Sequence, residues 1–281
     1  MSLNQADFTY FAKFLHENSA IVVGSDKNYL LDSRLTPIQR RLGLHDLGAL
    51  VQKLRTEPFG NLHREVIEAM TTNETYFFRD VKPFEALKAD VLPEVIERNA
   101  TKRTLNIWCA ATASGQEPYS IQMLLKENFP QLSTWNVKIH CTDLSQEMVN
   151  RTTAGKYTQL EVNRGLPASL LIKHFEKNGI DWQVKSYLKT GIEARVMNLA
   201  RPWPMMPKMD IVFMRNVLIY FDIETKRSIF NQLTRVMVPS GVLFLGGSET
   251  TLNLSNAFER KGGAGTSFYL MKSAASTLRS T

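Results

Sequence analysis

Cysteine is nearly absent from this chain: two residues in 281, Cys109 and Cys141, with no C-x-x-C spacing between them. That excludes a disulfide framework and a thiolate zinc site, and both residues read as reduced core positions of a cytosolic protein. Long apolar runs are also missing, and none approaches the ~18 residues of a membrane span. The N-terminus has no secretory apolar core, which argues against an exported chain. No G-x-G-x-x-G occurs, since Gly115 stands alone in its turn, and a dinucleotide fingerprint is thereby excluded. The five histidines are scattered, so no metal-ligand spacing appears. An Asn-Pro-Pro-aromatic tetrad, which grips planar nitrogens in N-methyltransferases, is lacking too.

What is present suffices for substantial cores: 43% of the chain is hydrophobic, and its length suits two domains. The net charge of +7 is unevenly placed. Residues 1–100 hold 12 Lys/Arg against 14 Asp/Glu, whereas 101–281 hold 22 against 13. A basic surface fits an acidic partner, either nucleic acid or a glutamate-rich protein face. Interleaved aromatics for base stacking are sparse, and charge alone does not choose.

Periodicity predicts helices first. Phe8, Phe11, Phe14 and Leu15 make one apolar stripe. Thr36-Pro37 reads as an N-cap and first helical position, followed by Ile38, Leu42, Leu47, Leu50, Val51 and Leu54. Leu62, Val66, Ile67 and Met70 form a third stripe, and a fourth helix opens at Pro83. After the polar break 99–102, strands at 105–108, 137–143, 193–199, 209–215, 241–246 and 266–272 alternate with helices at 116–128, 145–154, 167–176 and 223–238. That alternation predicts a mostly parallel sheet covered on both faces, ending in an antiparallel hairpin. The expected organisation is a helical domain with connector over 1–90, an α/β domain over 91–273 and a disordered tail, 274–281. A small antiparallel insert is expected at about 177–199.

The most informative stretch is Trp108-Cys-Ala-Ala-Thr-Ala-Ser-Gly-Gln-Glu-Pro-Tyr-Ser120, a small-residue turn between a strand and a helix. Such a turn lets a ligand approach the helix N-terminus. Glu117, at the helix start, would repel a pyrophosphate but accept a ribose or a cation. The next strand ends in Asp143, where an acid commonly binds ribose hydroxyls. Turn plus carboxylates favour S-adenosylmethionine (AdoMet) over NAD; the alternative is a plain βαβ unit with a solvated Glu and an N-capping Asp. Two further segments carry polar residues where ligands bind. In Thr71-Thr-Asn-Glu-Thr-Tyr-Phe-Phe-Arg79, Arg79 suits a ligand carboxylate. The other reading makes Asn73 or Thr75 an N-cap and places Phe77 and Phe78 in an interdomain core. Met209-Asp-Ile-Val-Phe-Met-Arg215 is a buried strand leading into Asn216 and Tyr220. Arg215 serves a ligand there or merely pairs with a carboxylate.

Taken together, the motifs T-T-N-E-T-x-F-F-R (71–79), W-C-A-A-x-x-S-G-Q-E-P-Y-S (108–120), Asp143, V-M-N-L (196–199), R-N-V-L-I-Y-F (215–221) and G-G-S-E (246–249) resemble CheR-type chemotaxis receptor methyltransferases. The resemblance covers roughly residues 5–272. It implies an all-α N-terminal domain and a Rossmann-like AdoMet-dependent methyltransferase sheet with an antiparallel insert. The implied reaction methylates glutamate side chains on the cytoplasmic helical region of chemoreceptors and leaves S-adenosylhomocysteine. By matching positions, Asn73, Thr75, Arg79, Glu117, Asp143, Asn198, Leu199, Arg215 and Asn216 would contact the cofactor, and Tyr220 would face the substrate carboxylate. Arg40 and Arg41, in a basic cluster on the second helix, are expected to meet the acidic receptor. The turn departs from the family's usual A-S-S-T-G, reading Ala111-Thr-Ala-Ser-Gly115, with small residues kept. Residues 177–192 look shorter than in relatives that grip a receptor C-terminal peptide, so no tether is expected. The remaining expectations are a cytoplasmic monomer with no metal, nucleic-acid partner or membrane insertion. A nucleic-acid methyltransferase and a non-catalytic AdoMet-binding module are the competing readings.

Overall fold

A computed structural model describes residues 3–24, 27–262 and 268–272. It resolves into two compact units, one of residues 1–72 with 220–225 and one of 73–219 with 226–281.

The first unit is helical: α1 Gln5–Ser19, α2 Asn28–Arg41, α3 Leu47–Thr56 and α4 Asn61–Ala69. Asn4 caps α1 by accepting the Asp7 N–H at 2.9 Å, and Phe8, Phe11, Phe14 and Leu15 point inward as their spacing requires. The second apolar stripe is two helices rather than one. Pro37 lies inside α2, and Thr36 bonds back to the Asp32 carbonyl instead of capping. The chain then breaks at Gly43, whose φ is +67°, and Asp46 starts α3 by accepting the Ala49 N–H at 2.8 Å. A stripe of apolar residues continues across such a break, so periodicity alone hides it.

The second unit begins with a long connector: α5 Lys82–Ala86, a π-turn Leu87–Val91 and α6 Leu92–Asn99. Phe84, Leu87, Val91, Leu92 and Val95 are buried in the same core as Leu105 and Ile107 of the sheet. That is why the division falls after Thr72 and not near residue 90: the connector's apolar face belongs to the sheet. Then follow β1 Thr104–Ala110, α7 Gln116–Asn128, β2 Asn136–Asp143, α8 Gln146–Ala154, β3 Lys156–Tyr157, α9 Gln159–Asn163, α10 Ala168–His174, β4 Phe175–Asn178, β5 Asp181–Val184, α11 Ser186–Lys189, β6 Ile192–Val196, β7 Met209–Met214, α12 Ile223–Val236, β8 Met237–Leu245, β9 Phe258–Lys261 and β10 Phe268–Met271.

Seven strands form the main sheet in the order β6-β2-β1-β7-β8-β10-β9. The pairs from β6 to β8 are parallel, and β10 runs antiparallel to both β8 and β9. The strand order reverses at β1, which puts the ligand-binding crevice beyond the carboxyl ends of β1 and β7. The expected insert at 177–199 needs correction. Residues 192–196 pair in parallel with β2, so they are an edge strand of the main sheet. The antiparallel insert is β3-β5-β4, with β4 and β5 joined through Gly179 at φ +63°. Phe77 also differs from the interdomain expectation: fully buried, it packs edge-on to Tyr157 and Phe175 inside the second unit. The tail 274–281 and most of the Gly262–Gly265 loop lie outside the described residues. Among the described residues no helix is long and apolar enough to cross a membrane.

Candidate active site

Four of the segments singled out by sequence follow the carboxyl ends of parallel strands: 111–117 after β1, Asp143 closing β2, Asn198 and Leu199 after β6, Arg215 and Asn216 after β7. The sheet topology therefore gathers them on one edge.

The turn after β1 alternates hands. Ala111 (φ +56°), Ala113 (φ +49°) and Gly115 (φ +93°) are all left-handed, a conformation costing non-glycine residues about 1–2 kcal/mol each. Protein contacts hold it. Asp143 Oδ2 accepts the Ala113 N–H at 2.8 Å, Thr152 Oγ1 donates to the Ala113 carbonyl at 3.0 Å and the Tyr157 hydroxyl donates to the Ser114 carbonyl at 2.9 Å. A Cβ at Gly115 would lie 3.0 Å from both Thr152 Oγ1 and Tyr157 Oη, so glycine is required for space as well as for φ. Burial pushes the Tyr157 hydroxyl well above its ordinary range, keeping it a neutral donor. Asp143 Oδ1 meanwhile accepts the Ser145 N–H at 3.0 Å. Asp143 is thus a brace for the turn, whatever else it binds.

Arg215 is the hub. Its side chain is 2% exposed, Nη1 donates to Glu117 Oε2 at 2.8 Å, and Nη2 donates to Asp80 Oδ2 at 2.6 Å and the Arg79 carbonyl at 3.0 Å. Burial is the largest influence on Glu117 and raises its carboxyl above the ordinary value, while Arg215 pulls it back. The loop that Arg215 grips is itself strained, with Phe78, Asp80 and Val81 all at positive φ. Ser120 of α7 anchors the same loop, its Oγ accepting the Phe78 N–H at 2.9 Å. Arg79 turns its guanidinium to the Glu74 carbonyl at 2.8 Å. A cavity of about 440 Å³ opens beside Arg215, lined also by Asp80, Lys82, Glu249, Arg260 and Tyr269.

Two buried polar atoms at this edge, Thr112 Oγ1 and Arg215 Nε, have no hydrogen-bond partner among the described residues. Unmatched buried polar atoms beside a bulk-free turn and the carboxylates of Asp143, Glu117 and Asp80 suit a ligand with a ribose and an amino-acid end. AdoMet fits that description.

Asn73, Thr75, Arg79, Glu117, Asp143, Arg215 and Asn216 all belong to the second unit, as do Asn198 and Leu199. Asn198 Oδ1 accepts the Ala200 N–H at 2.9 Å, and the Leu199 carbonyl accepts the Trp203 indole N–H at 3.0 Å. Tyr220 is grouped with the helical unit, where its carbonyl accepts the Val22 N–H at 3.0 Å. Arg40 and Arg41 are exposed on the last turn of α2, and Arg41 is paired with Glu65 at 2.6 Å. The residues that sequence reasoning did not single out are Asp80, Thr112 and Glu249. Each lies next to or inside a quoted motif, but the groups that Asp80 and Glu249 bond are far away in sequence, and the Thr112 hydroxyl is matched by nothing among the described residues.

A parallel sheet with this reversal, one antiparallel strand near its edge and an acid closing β2 is the architecture of a Rossmann-like AdoMet-dependent methyltransferase. Two family profiles then specify it: "CheR methyltransferase, all-alpha domain" matches residues 6–71, and "CheR methyltransferase, SAM binding domain" matches 73–264. The chain belongs to the CheR methyltransferase family, and AdoMet is its cofactor. It is 44% identical over 264 residues to "Chemotaxis protein methyltransferase 1" of Pseudomonas aeruginosa, covering 92% of this chain and 95% of that protein. Identity to "Chemotaxis protein methyltransferase Cher2" of Pseudomonas putida is 41%, with the same coverage. Among solved structures, the N-methyltransferase NodS from Bradyrhizobium japonicum WM9 with S-adenosyl-l-homocysteine is similar at TM-score 0.36 and 12% identity, over 69% of this chain and 90% of that one.

Proposed function

We propose that this enzyme methylates glutamate side-chain carboxylates on the cytoplasmic helical region of chemoreceptors, setting their adaptation state. The observation that carries this reading is the 44% identity, over nearly the full length of both chains, to a relative named a chemotaxis methyltransferase. The same relationship disfavours the nucleic-acid reading of the basic charge.

AdoMet, when bound, supplies a methyl group on an electrophilic sulfonium. Asp143 and Glu117 take its hydroxyl and ammonium donors, Arg79 its carboxylate, and Asn73, Thr75, Asn198, Leu199, Arg215 and Asn216 complete the pocket. The acceptor carboxylate is already ionised at neutral pH, its unperturbed pKa being about 4.3, so no general base is needed. The protein's task is to orient that oxygen and exclude water, and orientation of this kind supplies on the order of 7–11 kcal/mol. Tyr220 faces the acceptor carboxylate, and Arg40 and Arg41 meet the acidic receptor helices. The enzyme works in the cytoplasm as a monomer, without a receptor-tail tether.

Labelled AdoMet with chemoreceptor-containing membranes tests the reaction. Glutamyl methyl esters release methanol in mild alkali, whereas alkali-stable label would overturn the acceptor assignment. Tyr220→Phe is expected to lower turnover while leaving AdoMet affinity within about twofold, the scale of a lost contact made only with the acceptor. An equal loss of cofactor affinity would move Tyr220 to the cofactor.

A further inference from the structure

Beyond β8 the chain turns through Gly246-Gly-Ser-Glu249, and the Glu249 carboxylate folds back over the loop that leaves β7. Its Oε2 accepts the N–H groups of Asn216 at 2.8 Å and Gly246 at 2.7 Å. Its Oε1 accepts those of Val217 at 2.9 Å and Leu218 at 2.7 Å. Three successive amides of one loop therefore converge on one side chain, which is the geometry of an anion nest. The convergence depends on Asn216, whose φ of +59° is left-handed, a conformation asparagine tolerates better than most residues. It also depends on Gly246, where a Cβ would sit 2.8 Å from both Glu249 Oε2 and Asn216 Nδ2.

Nests of this kind commonly hold an external anion; here the protein fills the nest itself. We propose that Glu249 is a positioning residue whose carboxylate sets the strand-end loop so that Arg215 and Asn216 are presented to AdoMet before it arrives. The inference rests on the assignment of Asn216 to the cofactor. Each bond is charge-assisted, and together they fix the backbone immediately after Arg215, the hub of the site. A loop held in its binding geometry loses little freedom on binding, so the clamp acts on affinity.

Glu249→Gln keeps the shape but leaves one good acceptor and turns an NH₂ group toward the amides. It is expected to raise the AdoMet Kd by calorimetry about tenfold, the scale of a charged hydrogen bond lost, with cooperative melting retained. Combined with Asn216→Ala, the loss should be less than the product of the single losses, because both act through one loop. Combined with Asp143→Ala, which unbraces the other turn, the losses should multiply. A lowered Tm with wild-type Kd would overturn the proposal, as would multiplicative losses with Asn216→Ala. If Asn216→Ala alone leaves Kd unchanged, the cofactor assignment of Asn216 fails and the proposal falls with it. If Asn216→Ala weakens binding and Glu249→Gln does not, the proposal alone is overturned. Should Glu249→Gln not fold, Gly246→Ala takes its place, since it keeps the carboxylate but pushes it off the loop. A raised Kd then supports the clamp, and a wild-type Kd overturns it.

Discussion

His16 on α1 and Asp222 at the start of α12 meet Nε2 to Oδ2 at 2.7 Å, across 206 positions of sequence. Asp222 also caps α12, its Oδ1 accepting the Thr225 N–H at 2.7 Å. With the Val22 N–H on the Tyr220 carbonyl, the segment that begins at Tyr220 is tied to the helical unit at two points.

The Asp222 carboxyl is drawn down from 3.8 to about 2, first by the Thr225 N–H and then by His16. A depressed folded pKa contributes stability above the unfolded value and loses it as pH falls through the folded one. Asp222→Ala, which loses both bonds, is expected to cost about 1 kcal/mol at pH 7, mostly as a lost cap. Asp222→Asn keeps a capping oxygen and should cost less, since an exposed ion pair contributes at most ~1 kcal/mol. Denaturant melts at pH 7 and near pH 2 check this: both mutants should converge toward wild type at the acid end.

Arg215→Met should destabilise by about 3–5 kcal/mol, since a buried carboxylate loses its partner. The pH dependence has a defined sign. Burial raises the Glu117 carboxyl above the ordinary glutamate value, so its contribution to stability is full below that value and declines as pH rises through the folded pKa. Without the guanidinium the folded pKa rises further, and the decline grows. Unfolding midpoints at pH 5 and pH 8 should therefore differ more in the mutant than in wild type.

Asp143→Ala is expected to weaken AdoMet binding by at least ~1 kcal/mol in calorimetry. Part of that loss comes through the turn, because Asp143 braces Ala113. Unchanged affinity in both Asp143→Ala and Glu117→Ala would remove the cofactor from this edge of the sheet.

Receptor engagement is best probed at Arg40. Arg41 is bound to Glu65 and Arg34 to the Met70 and Thr71 carbonyls, so reversing either charge disturbs the helical unit itself. Arg40→Glu should raise the apparent KM for receptor and flatten its salt dependence, because exposed charge acts over a Debye length of ~10 Å at 0.1 M. AdoMet binding should stay intact; an unchanged salt slope would assign the receptor contact elsewhere.

Much of this was legible from sequence because it is local. Phe8, Phe11, Phe14 and Leu15 announce α1 by spacing, and Gly115 followed by Gln116-Glu117 announces a strand–turn–helix. What sequence hid is bonding between distant segments. Nothing in Gly246-Gly-Ser-Glu249 says that its acid will collect amides from residues 216–218, 31 to 33 positions earlier. Residues 192–196 look like a partner for the neighbouring Trp182 strand, yet the parallel register with β2 wins because it extends the buried sheet. Arg215 exemplifies both sides: its place at a strand end was readable, its three partners from two other segments were not.

The two cysteines have a use unrelated to catalysis. Cys109 and Cys141 lie opposite each other in the β1–β2 register, both buried, and burial pushes the Cys109 thiol well up. With no other cysteine in the chain, an alkylating reagent added to native protein has nothing to label until these strands come apart. Thiol labelling is therefore a built-in clock for opening of the innermost sheet, and its slowing on addition of AdoMet would measure how far the cofactor holds that opening shut.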